Sequence, residues 1–385
     1  MDLFFDILFE GISIGSVLLI AALGLSIVFG LMGVINLAHG ELIMVGAYST
    51  FFTQLLFKEP FLKPYFGSYI IVSIFVAFIF SACVGILLER LIIRKLYGSP
   101  LETLLATWGV SLVLQQFVRG VPLAVGPGII ITFISGISIK NLINDNQLIK
   151  SFKKKYVELS IWVFSTFLGI ISTNLIATNI SRLSRADSRN VDVTAPKWMR
   201  GPIEIFGETY PKTRLWIIFI TLVSVIAVLM FLNLSEWGLR IRAVTQNRSM
   251  TECLGLSTKK VDTLTFAIGS GLAGVAGVAV SLLGSVGPNV GQNYIVPCFM
   301  VVVLGGVGNL LGTILASFGI GIMTDLIGAG RLMTIWPDMP IPLANLVNFF
   351  ATTSMARVMI FTLIIIFLQF KPSGLFPQKG RMVES

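Results

Sequence analysis

The sequence predicts an all-α fold, a polytopic bundle of about 9–11 transmembrane helices, some of them broken. Three observations carry this expectation. Of 385 residues, 55% are hydrophobic and 12% charged, against about 25% charged in a soluble domain. The mean hydropathy is +0.88. The apolar residues fall in continuous runs of about 20, enough to cross a bilayer core as helices, and not in the alternating pattern of a β-barrel.

The runs lie at about 5–30, 36–57, 68–93, 101–118, 122–139, 159–178, 215–234, 262–284, 294–307, 310–327 and 356–370. The first is too long for a cleavable signal peptide, and Asp2, Asp6 and Glu10 stand where a basic leader would be. The first lysine is Lys58, so the N-terminus is expected outside the cytoplasm. Parity then places Arg90/Arg94/Lys95, Lys150/Lys153/Lys154/Lys155, the 235–260 cluster and Lys371/Lys379/Arg381 inside. Residues 181–214 carry seven Lys/Arg on the opposite side, against the trend, which long loops follow less strictly. The fifth and sixth runs must both cross or both stay out, or the later clusters would change sides. The net charge of +9 reads as positive-inside loops, not as a nucleic-acid surface. Cys83, Cys253 and Cys298 are isolated and imply neither a disulfide framework nor a metal site.

Four stretches depart from plain spans. "VFGLMGVINLAHGELIMVGAYS" (28–49) holds the chain's one histidine, with Asn36, His39 and Glu41 among Gly30, Gly33 and Gly40. Two readings stand. Either His39 and Glu41 cap a span at the membrane surface, or a broken helix buries polar groups, which cost several kcal/mol unless partnered and mark functional sites. One His and one Glu are too few ligands for a metal. "SEWGLRIRAVTQNRSMTECLGLSTKK" (235–260) is either a solvated basic loop or carries a short helix over 243–254, stopped by Gly255, that docks through its polar face. Its apolar residues Ile241, Val244 and Met250 are too sparse for a core helix. "GSGLAGVAG" (269–277) places small residues four apart and predicts close helix packing. In "VVVLGGVGNLLGT" (301–313), Gly305, Gly306 and Gly308 interrupt the apolar run and Asn309 follows, forming either a tight turn or a helix break bordering a substrate path.

Enzyme signatures are absent from the sequence. There is no G-x-x-x-x-G-K-[ST], H-E-x-x-H or G-x-S-x-G, so the chain has no ATP-binding P-loop of its own.

"GLSIVFGLMGVINLAHGE" (24–41) resembles the signature of permease subunits of the branched-chain amino acid family of ABC importers. "LLATWGVSLVLQQ" (104–116), "SVGPNVGQNYIV" (285–296), "FMVVVLGGVGNLLGT" (299–313) and "KPSGLFPQKGR" (371–381) look more specifically like its urea-type members. The resemblance covers most of 11–120, 186–328 and 356–381. It implies a single type II-like transmembrane permease domain over 1–385 in a bacterial inner membrane. It further implies a homologous second permease, two cytoplasmic ATPases that use the ATP, and an external substrate-binding protein. No cofactor in this chain and no nucleic-acid partner are expected. The resemblance also selects the docking reading of 235–260, matched as the coupling helix by Ala243, Asn247, Leu254 and Gly255. Arg240, Arg242, Arg248 and Glu252 stand in the same loop, with the arginines near acidic or backbone acceptors.

Residues about 120–185 and an external stretch of about 329–355 look like insertions relative to the family. Urea-type members usually carry Asp after "YIV", where this chain has Pro297. Short amides or branched-chain amino acids therefore stand as alternative cargo. For a neutral polar solute, Asn36, Thr103, Gln115, Gln116 and Asn309 are the hydrogen-bonding residues expected along the path. A stand-alone channel or secondary transporter is the competing class, and its ion-coupling carboxylate would be Glu41, Glu102 or Asp325. A non-transporting scaffold would leave the polar groups at helix breaks unexplained.

Overall fold

A computed structural model of the chain describes residues 2–120, 190–205, 208–336 and 340–376, together with single residues between 132 and 171. The proposed spans at 122–139 and 159–178, the Lys150–Lys155 cluster, and Lys379 and Arg381 lie outside the described residues. The other nine runs are helices. They are α1 (Asp2–Met32), α2 (His39–Phe57), α3 (Tyr69–Leu91), α4 (Pro100–Gly120), α5 (Lys212–Leu234), α8 (Thr258–Leu283), α9 (Val290–Gly305), α10 (Leu310–Gly328) and α13 (Thr353–Phe370). Between α5 and α8 lie α6 (Glu236–Gln246) and α7 (Arg248–Cys253), and between α10 and α13 lie α11 (Arg331–Ile335) and α12 (Ile341–Phe350). The 329–355 stretch thus carries two short helices. An antiparallel hairpin of β1 (Pro202–Ile205) and β2 (Glu208–Pro211), not foreseen in the sequence, precedes α5.

Among the described residues, six helices are long and apolar enough to cross a membrane, and α9 and residues 354–370 of α13 are shorter apolar helices. The helix α2 is not among these, because His39, Glu41, Ser49, Thr50, Thr53 and Gln54 dilute its apolar character, and all six are buried in the protein. Buried side chains of α1, α2, α8, α9 and α10 form the centre of the core. The flanking helices α3, α4 and α5 expose Phe75, Ile79, Leu105, Val113, Phe219 and Leu222 outward, as helices facing lipid or another subunit do.

Close packing rests on the small residues of α8. The carbonyl of Ala77 (α3) and residue Gly46 (α2) approach Gly274 from two sides, while Gly277 meets the backbone of α2 at Ile43 and Gly269 meets Gly24 of α1. Lipid tails offer no hydrophobic gain for helix association, so backbone approach through small residues supplies the contact. The 269–277 pattern packs helices, as its spacing predicts.

Acidic residues near the N-terminus are paired. Tyr210 donates to Asp6 Oδ1 at 2.6 Å, Arg214 pairs with Glu10, and Arg331 reaches Asp325 at 3.0 Å and Asp6 at 3.6 Å. These pairs tie the same end of α1, α5 and α10. At the other end, "GGVGN" is a tight turn. Gly306 and Gly308 adopt φ of 100° and 83°, and the C-terminal strap folds onto them, with the Leu375 N–H donating to the Leu304 carbonyl at 2.8 Å.

Candidate functional site

The polar break begins where α1 ends at Met32. Residues 33–38 leave the helix, with Gly33 at φ 67°, and run back along α1 before α2 begins. His39 Nε2 lies 3.0 Å from the Ala21 carbonyl, about 16 Å back from the end of α1 at 1.5 Å per residue. The start of α2 therefore lies inside the bundle and not at its rim. This answers the two readings of 28–49 in favour of a buried break. Irregular backbone is tolerated there because protein surrounds it.

Gly24 leaves room for the imidazole, since a Cβ at that position would sit 3.0 Å from His39 Cε1. The Ala21 carbonyl can only accept, so His39 donates to it from Nε2. Asn36 Oδ1 accepts from the Ala38 N–H at 3.1 Å and turns the chain into α2. Glu41 Oε1 accepts from Ser111 Oγ at 2.9 Å and from Gln115 Nε2 at 2.7 Å. Asn36, His39 and Glu41 are each at most 1% exposed. Among the described residues, Asn36 Nδ2, His39 Nδ1 and Glu41 Oε2 have no hydrogen-bond partner. Buried polar atoms are normally satisfied, so three such atoms within six residues set this break apart from an ordinary turn. The Glu41 carboxylate also lies in the first turn of α2, where the helix dipole favours negative charge.

The partner surface is one face of α4. Its buried residues are Thr103, Thr107, Ser111 and Gln115, every fourth position, hence one stripe along the helix. Thr107 accepts from the Leu37 N–H at 3.2 Å, so the stripe meets the break twice. Sequence reasoning picked Thr103 and Gln115 but missed Thr107 and Ser111. The spacing of four was the available signal. Thr103 itself donates to the Leu96 and Ser99 carbonyls, away from Glu41. Gln116 points to the exposed side of α4. Gly40, expected to flank the break, lies within α2 and packs against Gly291 at the start of α9.

Asn309 is displaced from this cluster. It caps α10 through the Gly312 N–H at 3.1 Å and donates to the Phe376 carbonyl at 3.2 Å. Gly305 packs on Gly312, and Gly306 on Phe376. These three positions form the turn and hold the C-terminal strap. Of the carboxylates considered for ion coupling, Asp325 is paired with Arg331 and Glu102 is exposed, which leaves Glu41 as the buried one facing the break.

The 235–260 loop differs from the expected single helix over 243–254. Asn247, at φ −154° and ψ 100°, ends α6 and begins α7. Its side chain accepts from the Met250 N–H at 3.0 Å, the N-cap role that asparagine favours over a helix interior. Ala243 accepts from the Asn247 N–H at 3.1 Å and from the Thr251 hydroxyl, which folds α7 back on α6. Gly255, at φ 81°, stops α7. Ile241 and Val244 are buried against Val261, while Leu239, Met250 and Leu254 are exposed. The outward face therefore mixes apolar and basic side chains, including Arg242, and is not simply polar.

Two arginines bind this loop and its neighbour to buried carboxylates. Arg248 Nη2 reaches Asp262 at 2.6 Å, with Asp262 only 3% exposed, and its guanidinium lies 5.4 Å from the centre of the Tyr97 ring. Arg94 makes a bidentate pair with fully buried Glu89 at 2.9 and 2.8 Å and also donates to Thr263 at 2.6 Å. Glu252 pairs with Arg248 at 3.7 Å and accepts from Thr258 at 2.6 Å. Arg240 pairs with exposed Glu236 at 3.3 Å and lies 4.7 Å from the centre of the Trp237 ring.

Among the described residues, six helices long and apolar enough to cross a membrane, a buried polar break and a basic loop braced against the helix ends define a multi-spanning membrane bundle. The chain belongs to the branched-chain amino acid transport system permease component family, whose sequence model matches residues 7–368. It is 24% identical over 342 residues to the high-affinity branched-chain amino acid transport system permease protein LivH of Salmonella typhimurium, covering 87% of this chain and 89% of that one. It is likewise 24% identical to LivH of Escherichia coli, with the same coverage. BraD of Pseudomonas aeruginosa, also named a high-affinity branched-chain amino acid transport system permease protein, is 24% identical over 96% of this chain and 94% of its own. No solved structure matches. The family is one of membrane transport components and not a catalytic one.

Glu41→Ala is expected to lower transport several-fold while the protein still inserts. It leaves the Ser111 and Gln115 donors buried and unpaired, at about 1–3 kcal/mol. Glu41→Gln, which keeps an acceptor, should retain more activity. Uptake measured at matched membrane levels of the variants decides, and wild-type uptake by Glu41→Ala would reject a role for the break.

Proposed function

We propose that the chain is one of two permease subunits of an ATP-driven importer for branched-chain amino acids in a bacterial inner membrane, with its N-terminus outside and its C-terminus inside. The observation that carries the transport reading is the family match over nearly the whole chain. The names of the three relatives above favour aliphatic amino acids over the urea expected from the "LLATWGVSLVLQQ" and "VGPNVGQNYIV" motifs. Pro297, in place of the usual Asp, points the same way. In this reading two cytoplasmic ATPases hydrolyse ATP and one of them receives α6 and α7, an external binding protein delivers cargo, and a homologous permease completes the path. This chain brings no cofactor of its own.

A second reading, urea as cargo, draws on the buried break. Asn36, Glu41, Ser111 and Gln115 offer hydrogen-bond groups suited to a neutral amide. One experiment separates the two. Deleting the gene is expected to abolish high-affinity uptake of labelled L-leucine and leave urea uptake unchanged. Loss of urea uptake with leucine uptake intact would reverse the assignment.

A further inference from the structure

A cavity of about 190 Å³ lies between α1, α8, α9, α10 and α13, apart from the Glu41 break. It is smaller than the roughly 300–1,000 Å³ of drug-sized sites, which restricts it to a solute of metabolite size. Buried Val17, Leu18, Ile320 and Ile360 form an apolar lining.

Two features make the opposite side polar. Arg357 is the only charged residue of α13, and it lines the cavity without an ion pair among the described residues. Arg357 is itself exposed, so the cavity is open on its side, and an arginine in an apolar helix is a candidate for a substrate path. Pro297, inside α9, has no N–H, so the Asn293 carbonyl four residues earlier lacks its helical donor. Asn293 and Pro297 both line the same cavity. A hydrogen-bond acceptor and a cation are thus set beside an aliphatic surface.

We propose that this cavity binds an aliphatic α-amino acid during transport. The carboxylate pairs with Arg357, the ammonium group donates to the Asn293 carbonyl, and the side chain lies on the Val17, Leu18, Ile320 and Ile360 surface. The assignment rests on the amino-acid cargo reading and adds the residues that recognise the zwitterion. Arg suits the carboxylate because its planar fork donates two parallel hydrogen bonds.

The test uses the complete importer, with both permeases, the ATPases and the binding protein, in proteoliposomes. Arg357→Gln is expected to lower the maximal rate of ATP-driven L-leucine uptake about tenfold or more, and Arg357→Lys to restore part of it. A second measurement does not depend on Arg357. Thiol labelling of Thr324→Cys, above the background of Cys83 and Cys253, should be slowed by L-leucine and not by leucinol, which lacks the carboxylate. If the wild-type importer moves no leucine, the cargo reading fails and this site with it. If the wild type moves leucine but Arg357→Gln matches its rate, or leucine leaves Thr324→Cys labelling unchanged, the site alone is overturned.

Discussion

Replacing Arg248 by alanine is expected to uncouple ATP hydrolysis from transport. The three arginines of the loop are not equivalent. Arg240 pairs with Glu236, which is 87% exposed, and exposed pairs contribute about 0–1 kcal/mol. Arg240→Ala should therefore change little. Arg248 neutralises a carboxylate that is 3% exposed, and breaking a fully buried pair from one side costs about 3–5 kcal/mol. The cost here is lower, because Arg248 itself is 44% exposed and water can reach the gap.

The consequence is mechanical as much as energetic. Arg248 lies on α7 and Asp262 in the first turns of α8, the helix that packs against α1, α2 and α3. In the proposed importer, a force applied to α7 by an ATPase would reach α8 through that pair. Arg248→Ala should retain ATPase activity while transport falls about tenfold, and Arg248→Lys should recover part of the transport, as a point charge replacing a fork does. Gly255→Val belongs with it, since a β-branched residue at φ 81° is strained and would re-aim α7. An unchanged ratio of solute moved to ATP hydrolysed in both variants would remove the loop from the transmission path.

The second large effect concerns Gly274. A leucine there would drive its Cβ to 2.6 Å from Ser81 Oγ and against the Ala77 carbonyl, both on α3. Overpacking within a core costs about 1–3 kcal/mol, and here the obstacle includes the α3 backbone at Ala77, so the variant is expected not to accumulate in the membrane. Gly319→Leu is the control. A Cβ at Gly319 meets nothing within 4 Å, and Gly is intrinsically worse than Leu within a helix. Equal membrane levels of the two variants, measured by immunoblot and by size-exclusion profile in detergent, would refute the close-packing account.

The continuous apolar runs made nine helices legible, because lipid demands uninterrupted length and internal backbone hydrogen bonding. The spacing of Gly269, Ala273 and Gly277 made the packing face of α8 legible for the same local reason. Gly255 as a stop was legible too, since only a residue tolerant of positive φ ends α7 there. Asn247 was misjudged within a continuous 243–254 helix. Its capping preference competes with helix propagation, and the contact of Thr251 with the Ala243 carbonyl, eight residues back, settles the competition.

By itself, the sequence determined that this protein is a helical bundle for a membrane, which apolar runs carry polar or glycine-rich interruptions, and that a basic loop interrupts the spans. These properties follow from local composition and period. Only the tertiary structure decided that α2 starts beside Ala21, that Ser111 and Gln115 hold Glu41, that Arg248 belongs to Asp262 and Arg94 to Glu89, and that Asn309 holds the C-terminal strap. Each of these contacts joins groups distant in the chain, or chooses among several equally charged neighbours. Hydrogen-bonding partners inside a membrane bundle are selected by how helices cross, and a one-dimensional pattern does not encode the crossing.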